Sequence, residues 1–102
     1  MNEIVVIATL RLNDESLLED WKVISDKIDV DLVGQDGFIS RYVGRREDGL
    51  IYCILKWESK AKQEKFMTAL MARTDKESQA MMEEFGRIVN VEGMKREFLE
   101  VL

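Results

Sequence analysis

The sequence has 102 residues, 34% charged and 46% hydrophobic, with a net charge of -5. That is enough apolar mass for a single packed domain over 1–102, and the wrong sign of charge for nucleic acid or an anionic membrane as partner. It holds no histidine, no proline and one cysteine, Cys53, which excludes His-ligated haem, zinc or iron, a histidine base and thiolate clusters, so no metal and no cofactor is expected.

The opening stretch MNEIVVIATLRLNDE lacks a basic leader and turns polar at Arg11, unlike a signal peptide. No run approaches the ~18 apolar residues of a membrane helix. With no cysteine pair, these features point to the cytoplasm.

Residues 3–12 read as a strand. Ile4, Val6, Ala8, Leu10 and Leu12 share one face; Glu3, Val5, Ile7, Thr9 and Arg11 share the other. A helix is predicted over 15–33, with Leu17, Trp21, Ile24 and Ile28 as its stripe. Ser16 and Glu19 have capping-box spacing, Asp14 competes as N-cap, and Gly34 suits the stop. After Gln35-Asp36-Gly37, residues 38–45 form a strand in which Phe38, Ser40 and Tyr42 alternate with Ile39, Arg41 and Val43. Asp48-Gly49 marks a hairpin. Residues 50–58 are apolar on both faces until Lys56, as in a central strand.

Ser59 is placed to cap a second helix from Lys60, with Phe66, Met67, Ala69, Leu70 and Met71 as its apolar stripe. Thr74 and Glu77 repeat the capping-box spacing, so the helix is expected to break near Arg73 and restart with Thr74 as cap. The third helix carries Met81, Phe85 and Ile88, flanked by Met82 and Val89, and stops at Asn90 and Gly93. Residues 94–102 end in a strand with Phe98, Leu99, Val101 and Leu102 as apolar members.

The order is β-α-β-β-α(α)-β, an α+β chain with the ferredoxin-like split βαβ arrangement and an antiparallel sheet. Helices cover one sheet face. A second copy of the chain is the simplest cover for the other, giving a homodimer.

Gly37-Phe38 opening the second strand, Trp57-Glu58-Ser59 closing the third and Phe98 to Leu102 at the close resemble the antibiotic biosynthesis monooxygenase group. The resemblance implies a dimeric α+β barrel and a small-molecule-binding protein similar to cofactor-independent monooxygenases, its substrate undefined. The group also contains haem-degrading enzymes, which place a histidine on the helix after the W-x-S strand. Here that stretch offers Phe66 and Lys76 and no histidine, so haem degradation does not carry over. Trp57 matches a group position; the other pocket residues do not match one by one, and no catalytic residue is assigned.

Each candidate has two readings. Trp57 is a core or dimer-seam residue, or an aromatic wall for a flat substrate. Arg11, Arg41 and Arg45 are edge or interface ion pairs, or they capture a carboxylate or enolate. Met67, Met71, Met81 and Met82 are adaptable packing or a plastic apolar pocket. Tyr42 and Tyr52 are strand residues that can lend a phenol. Cys53 alternates inward with Ile51 and Leu55 and reads as a small buried hydrophobe. Lys60, Lys62 and Lys65 with Glu58 and Glu64 form a solvated face of local ion pairs. A substrate pocket is expected between helices and sheet near Thr9, Arg11, Tyr42, Trp57 and Phe66, accepting a small apolar or aromatic ligand. The alternative is a non-catalytic dimeric binding or scaffold domain.

Overall fold

The computed structural model describes residues 2–102. Its elements are β1 (Ile4–Leu10), α1 (Leu18–Leu32), β2 (Phe38–Arg45), β3 (Ile51–Trp57), α2 (Lys60–Met71), α3 (Lys76–Ile88) and β4 (Lys95–Glu100). The strands form one antiparallel sheet in the order β2-β3-β1-β4. Three helices lie on one face. This is the ferredoxin-like α+β arrangement expected from the element order, with the doubly apolar β3 inside the sheet.

Strand alternation divides the sheet into two surfaces. Ile4, Val6 and Leu10 of β1 and Ile51, Cys53 and Trp57 of β3 are buried beneath the helices. The register pairs Val5 with Lys56, Ile7 with Ile54 and Thr9 with Tyr52 on the opposite face. Leu99 and Glu97 of β4 face the same way, beside Val5 and Ile7.

In β2, Phe38 pairs with Trp57 while Ser40 pairs with the neighbouring Lys56, so Ile39 is an extra residue in a bulge. The bulge corrects the alternation expected from sequence. Phe38 goes under the helices with Arg41 and Val43, while Ser40 and Tyr42 go to the open face.

Two apolar clusters fill the space under the helices. One joins Leu10, Ile51 and Cys53 to Trp21 and Ile24 of α1 and to Ile88 and Val89 at the end of α3. Within it Trp21 meets Phe85 edge-on, centroids 6.2 Å apart. The second groups Ile4, Val6, Leu32 and Trp57.

The helix ends differ from expectation in two places. Asp14, not Ser16, is the first cap: its carboxylate accepts the Ser16 N–H at 2.8 Å and opens a 3-10 turn over Glu15–Leu17 ahead of α1. That N–H holds the Asp14 carboxyl below its ordinary range. Asp75, not Thr74, caps α3. Its side chain accepts the Ser78 N–H at 3.1 Å and is braced by Arg73 at 3.0 Å. A carboxylate already oriented by a guanidinium outcompetes the adjacent hydroxyl.

The helical break itself falls between Met71 and Lys76, as the sequence indicates. Ser59 caps α2, accepting the Lys62 N–H at 3.2 Å. The apolar stripe expected on α2 is only half realised. Phe66 and Met67 are partly buried, while Ala69, Leu70 and Met71 are exposed, because α2 packs chiefly on the end of β3.

Candidate functional site

The five residues expected to share a pocket lie in three places. Trp57 and Phe66 are together under the helices, centroids 5.3 Å apart, with Phe38 edge-on to Trp57 at 5.5 Å. Trp57 is 2% exposed. It sits in this aromatic trio because the bulge turns Phe38 inward and the Ser59 cap starts α2 directly after β3. Thr9 and Tyr42 lie on the open face, on strands separated by β3. Arg11 is beyond the end of β1, where it donates to the Asp48 carbonyl at 3.0 Å and pairs with its carboxylate at 3.1 Å. The sheet separates the aromatic pair from Thr9 and Tyr42.

Among the described residues, the open face of the sheet carries no helix. Tyr42 is 69% exposed, and Ile54 and Leu99 are uncovered beside the partly buried Val5, Ile7 and Tyr52. At one end it dips into a broad concavity of about 520 Å³ lined by Ile7, Thr9, Tyr52, Lys95, Arg96 and Glu97. Thr9, Tyr52 and Lys95 come together because Thr9 pairs with both of the others across β1. The concavity sets one aliphatic residue, Ile7, and the Tyr52 ring among hydroxyl, cationic and carboxylate groups. Lys95, Arg96 and Glu97 were not singled out from sequence. Their signal is the polar start of a strand that ends apolar, and it points at a site only once β4 is known to pair with β1.

On the covered face Arg41 is held by α1. Its side chain is 3% exposed. It donates to the Ser25 hydroxyl at 3.0 Å, the Ser25 carbonyl at 3.2 Å and the Asp29 carboxylate at 2.8 Å. Burial pushes the neighbouring Cys53 thiol up, and the Arg41 charge opposes this only in part. A neutral buried thiol is a poor nucleophile, in keeping with a packing role for Cys53. Beside this cluster, α1 and the far end of β2 enclose a smaller cleft of about 280 Å³. Its walls include Trp21, Ser25, Val43, Arg45 and Ile51.

The β2–β3 hairpin carries a dense charge group. Arg46 and Arg11 both engage Asp48, whose carboxylate also accepts the Leu50 N–H at 3.2 Å. The Arg46 hydrogen bond holds the Asp48 carboxyl far below its ordinary range. Among the described residues, no group of three or more Cys, Asp or Glu side chains is placed to hold a metal ion. No helix among them is long and apolar enough to cross a membrane.

No family model matches the sequence, and no curated protein matches it. Solved structures do match in shape. SnoaB from Streptomyces nogalater, a cofactor-independent oxygenase, superposes with a TM-score of 0.72 at 10% identity, over 100% of this chain and 95% of its own. A candidate antibiotic biosynthesis monooxygenase from Caulobacter crescentus gives 0.77 at 12% identity, over 99% and 91%. A second from Nitrosomonas europaea gives 0.77 at 9%, over 99% and 91%. The chain has the antibiotic biosynthesis monooxygenase fold. At these identities the likeness fixes the path of the backbone and not the chemistry, because function resides in side chains grafted onto a fold. The resemblance first carried by Gly37-Phe38 and Trp57-Glu58-Ser59 therefore holds at the level of architecture across the whole described chain.

Proposed function

We propose that this protein is a homodimeric small-molecule-binding protein that acts as a cofactor-independent oxygenase, its substrate site lying in the open-face concavity. The observation that carries the reading is that concavity, where Thr9, Tyr52, Lys95 and Glu97 surround the apolar Ile7. A second copy laid on the open face would roof it and cover Val5, Ile54 and Leu99. An exposed apolar surface of this kind is what marks an association face.

The chemistry that suits such a site needs no metal. An electron-rich substrate with an acidic methylene loses a proton, and the carbanion passes electrons to dioxygen to form a hydroperoxide. Loss of water leaves a ketone, so one oxygen atom enters the product and the other leaves as water. In the absence of histidine, Glu97 is the lining carboxylate in position to take the proton, while Lys95 and the Tyr52 phenol steady the developing oxyanion.

Oxygen uptake with a panel of electron-rich phenols, quinols and anthrones tests this. Turnover by the parent protein is expected to fall by about 100-fold or more in Glu97→Gln, the usual range for losing a general base. No uptake with any of the panel, or a Glu97→Gln variant as active as the parent, removes the assignment. Light scattering tests the dimer: a mass of one chain, 11.9 kDa, counts against it.

One observation favours a second reading, a non-catalytic dimeric domain. Trp57, the residue matched to the group from sequence, is packed between Phe38 and Phe66 and is 2% exposed. A folded dimer with no ligand from a broad aromatic screen would fit that reading.

A further inference from the structure

We propose that the cleft between α1 and the end of β2 is a binding site for a small monocarboxylate with an apolar body. It lies on the helix-covered side of the sheet, apart from the open-face concavity, and does not depend on any activity there. Trp21 and Ser25 are four residues apart on α1 and so project from one face. Both line the cleft and both are more than nine-tenths buried, at 3% and 7% exposure.

Each brings a donor that the protein leaves unspent. Among the described residues no acceptor meets the Trp21 indole N–H. No side-chain nitrogen or oxygen that is fully sealed from solvent lacks a partner, so the indole N–H keeps its remaining access, and Trp21 borders open space at this cleft. The Ser25 oxygen accepts from the Arg41 guanidinium at 3.0 Å, which leaves its hydroxyl hydrogen free for a ligand. The cleft therefore holds two groups with a hydrogen still to donate, which suits a ligand that accepts twice.

A carboxylate does so with its two oxygens. The charge agrees. Arg45, on the wall supplied by β2, is exposed and takes part in no ion pair among the described residues. Lys22 at the rim is partly neutralised by Glu19 at 3.1 Å. Asp26, also at the rim, opposes a second negative group, so the site favours one carboxylate over two. Leu18, Val43 and Ile51 supply the apolar remainder of the wall. About 280 Å³ suits a ligand the size of a single ring.

Sodium benzoate is the probe, with neutral benzamide as its near-isosteric control. The chain has two tryptophans, so a ¹⁵N-labelled sample gives two indole N–H signals, assigned with Trp21→Phe. Benzoate at millimolar concentration is expected to move the Trp21 signal saturably and leave the Trp57 signal in place, while benzamide binds far more weakly. Arg45→Gln, on an exposed side chain, is expected to keep the dispersed spectrum and weaken benzoate by about tenfold or more, as loss of a charge-assisted contact does. A Trp21 signal unmoved by benzoate, movement of the Trp57 signal alone, equal response to benzamide, or unchanged affinity in Arg45→Gln would each overturn the proposal.

Discussion

The two faces of the sheet are built from the same strands and obey opposite rules. Under the helices, Trp57 is enclosed by Phe38 and Phe66, and Arg41 is sealed with its hydrogen bonds to Ser25 and Asp29 in place. On the other side, Ile54 and Leu99 stand uncovered beside Tyr42. Moving one residue along β3, from Cys53 to Ile54, crosses from a completed interior to a surface that awaits a partner. Alternation along a strand sorts residues between faces, but which face is finished depends on what the rest of the chain brings to it.

The largest test of this contrast is Trp57→Ala. Truncating a sealed aromatic costs about 3–5 kcal/mol, and a denaturant titration is expected to show a loss of that size. A loss below about 1 kcal/mol would mean that Trp57 borders a ligand cavity, with the smaller penalty such a wall pays. The matching change on the other face is Ile54→Asp. It is expected to leave the folded protomer intact and to break the dimer, because each isoleucine kept from burial forfeits about 1.5–3 kcal/mol. Sedimentation at the mass of one chain with an unchanged circular dichroism spectrum is the expected result. An unaltered dimer would place the interface elsewhere.

Smaller effects sharpen the margins of the covered face. Gly37 has φ +86° and is buried against α2, where a Cβ would stand 2.5 Å from the Lys62 side chain. Gly37→Ala therefore meets both the left-handed backbone penalty of about 1–2 kcal/mol and the displacement of Lys62 from Asp36 and Glu58, which it pairs with at 3.1 and 2.9 Å. Thermal melting is expected to show it. At the α3 cap, Arg73 and the Ser78 N–H hold the Asp75 carboxyl down to about 2, from an ordinary 3.8. Because the folded value is depressed, the cap contributes fully above the ordinary value and is lost as pH falls through the folded one. Helicity between pH 4 and 2 is expected to decline more in the parent than in Asp75→Asn, whose amide does not titrate. Thr74→Ala, next to the true cap, is expected to shift stability by less than about 0.5 kcal/mol.

Much of the fold was legible because its signals are local. Alternation and Asp48-Gly49 delimited β2 and β3, the two apolar faces of β3 put it inside the sheet, and Ser59 marked the start of α2. The failures share a cause. Leu70 and Met71 have helical spacing, but spacing does not reveal that no layer lies above them. Phe38 was grouped with Ser40 and Tyr42, and one bulged residue, Ile39, parts it from them. The expected pocket scattered for the same reason: whether Thr9, Tyr42 and Trp57 share a face is set by register between strands, a relation that no single segment contains. Trp21 and Ser25 were within reach, four apart on one helix, but their cleft exists only where β2 passes beneath α1.

The pairing of β1 with β4 joins segments nearly a whole chain apart in sequence. Ile4 lies opposite Glu100, and the Val101 N–H donates to the Glu3 carbonyl at 2.9 Å. On the ribosome, β1 is made long before its outer neighbour and can pair with β3 first, leaving its other edge bare until β4 emerges. Closing that last ladder means bridging nearly the whole chain, the kind of distant contact that slows folding. In the interval the nascent protein presents an unpaired edge beside Val5 and Ile7, a template for another chain. Lys95, Arg96 and Glu97, the charged residues that begin β4, then become the guard on the sheet's new outer edge.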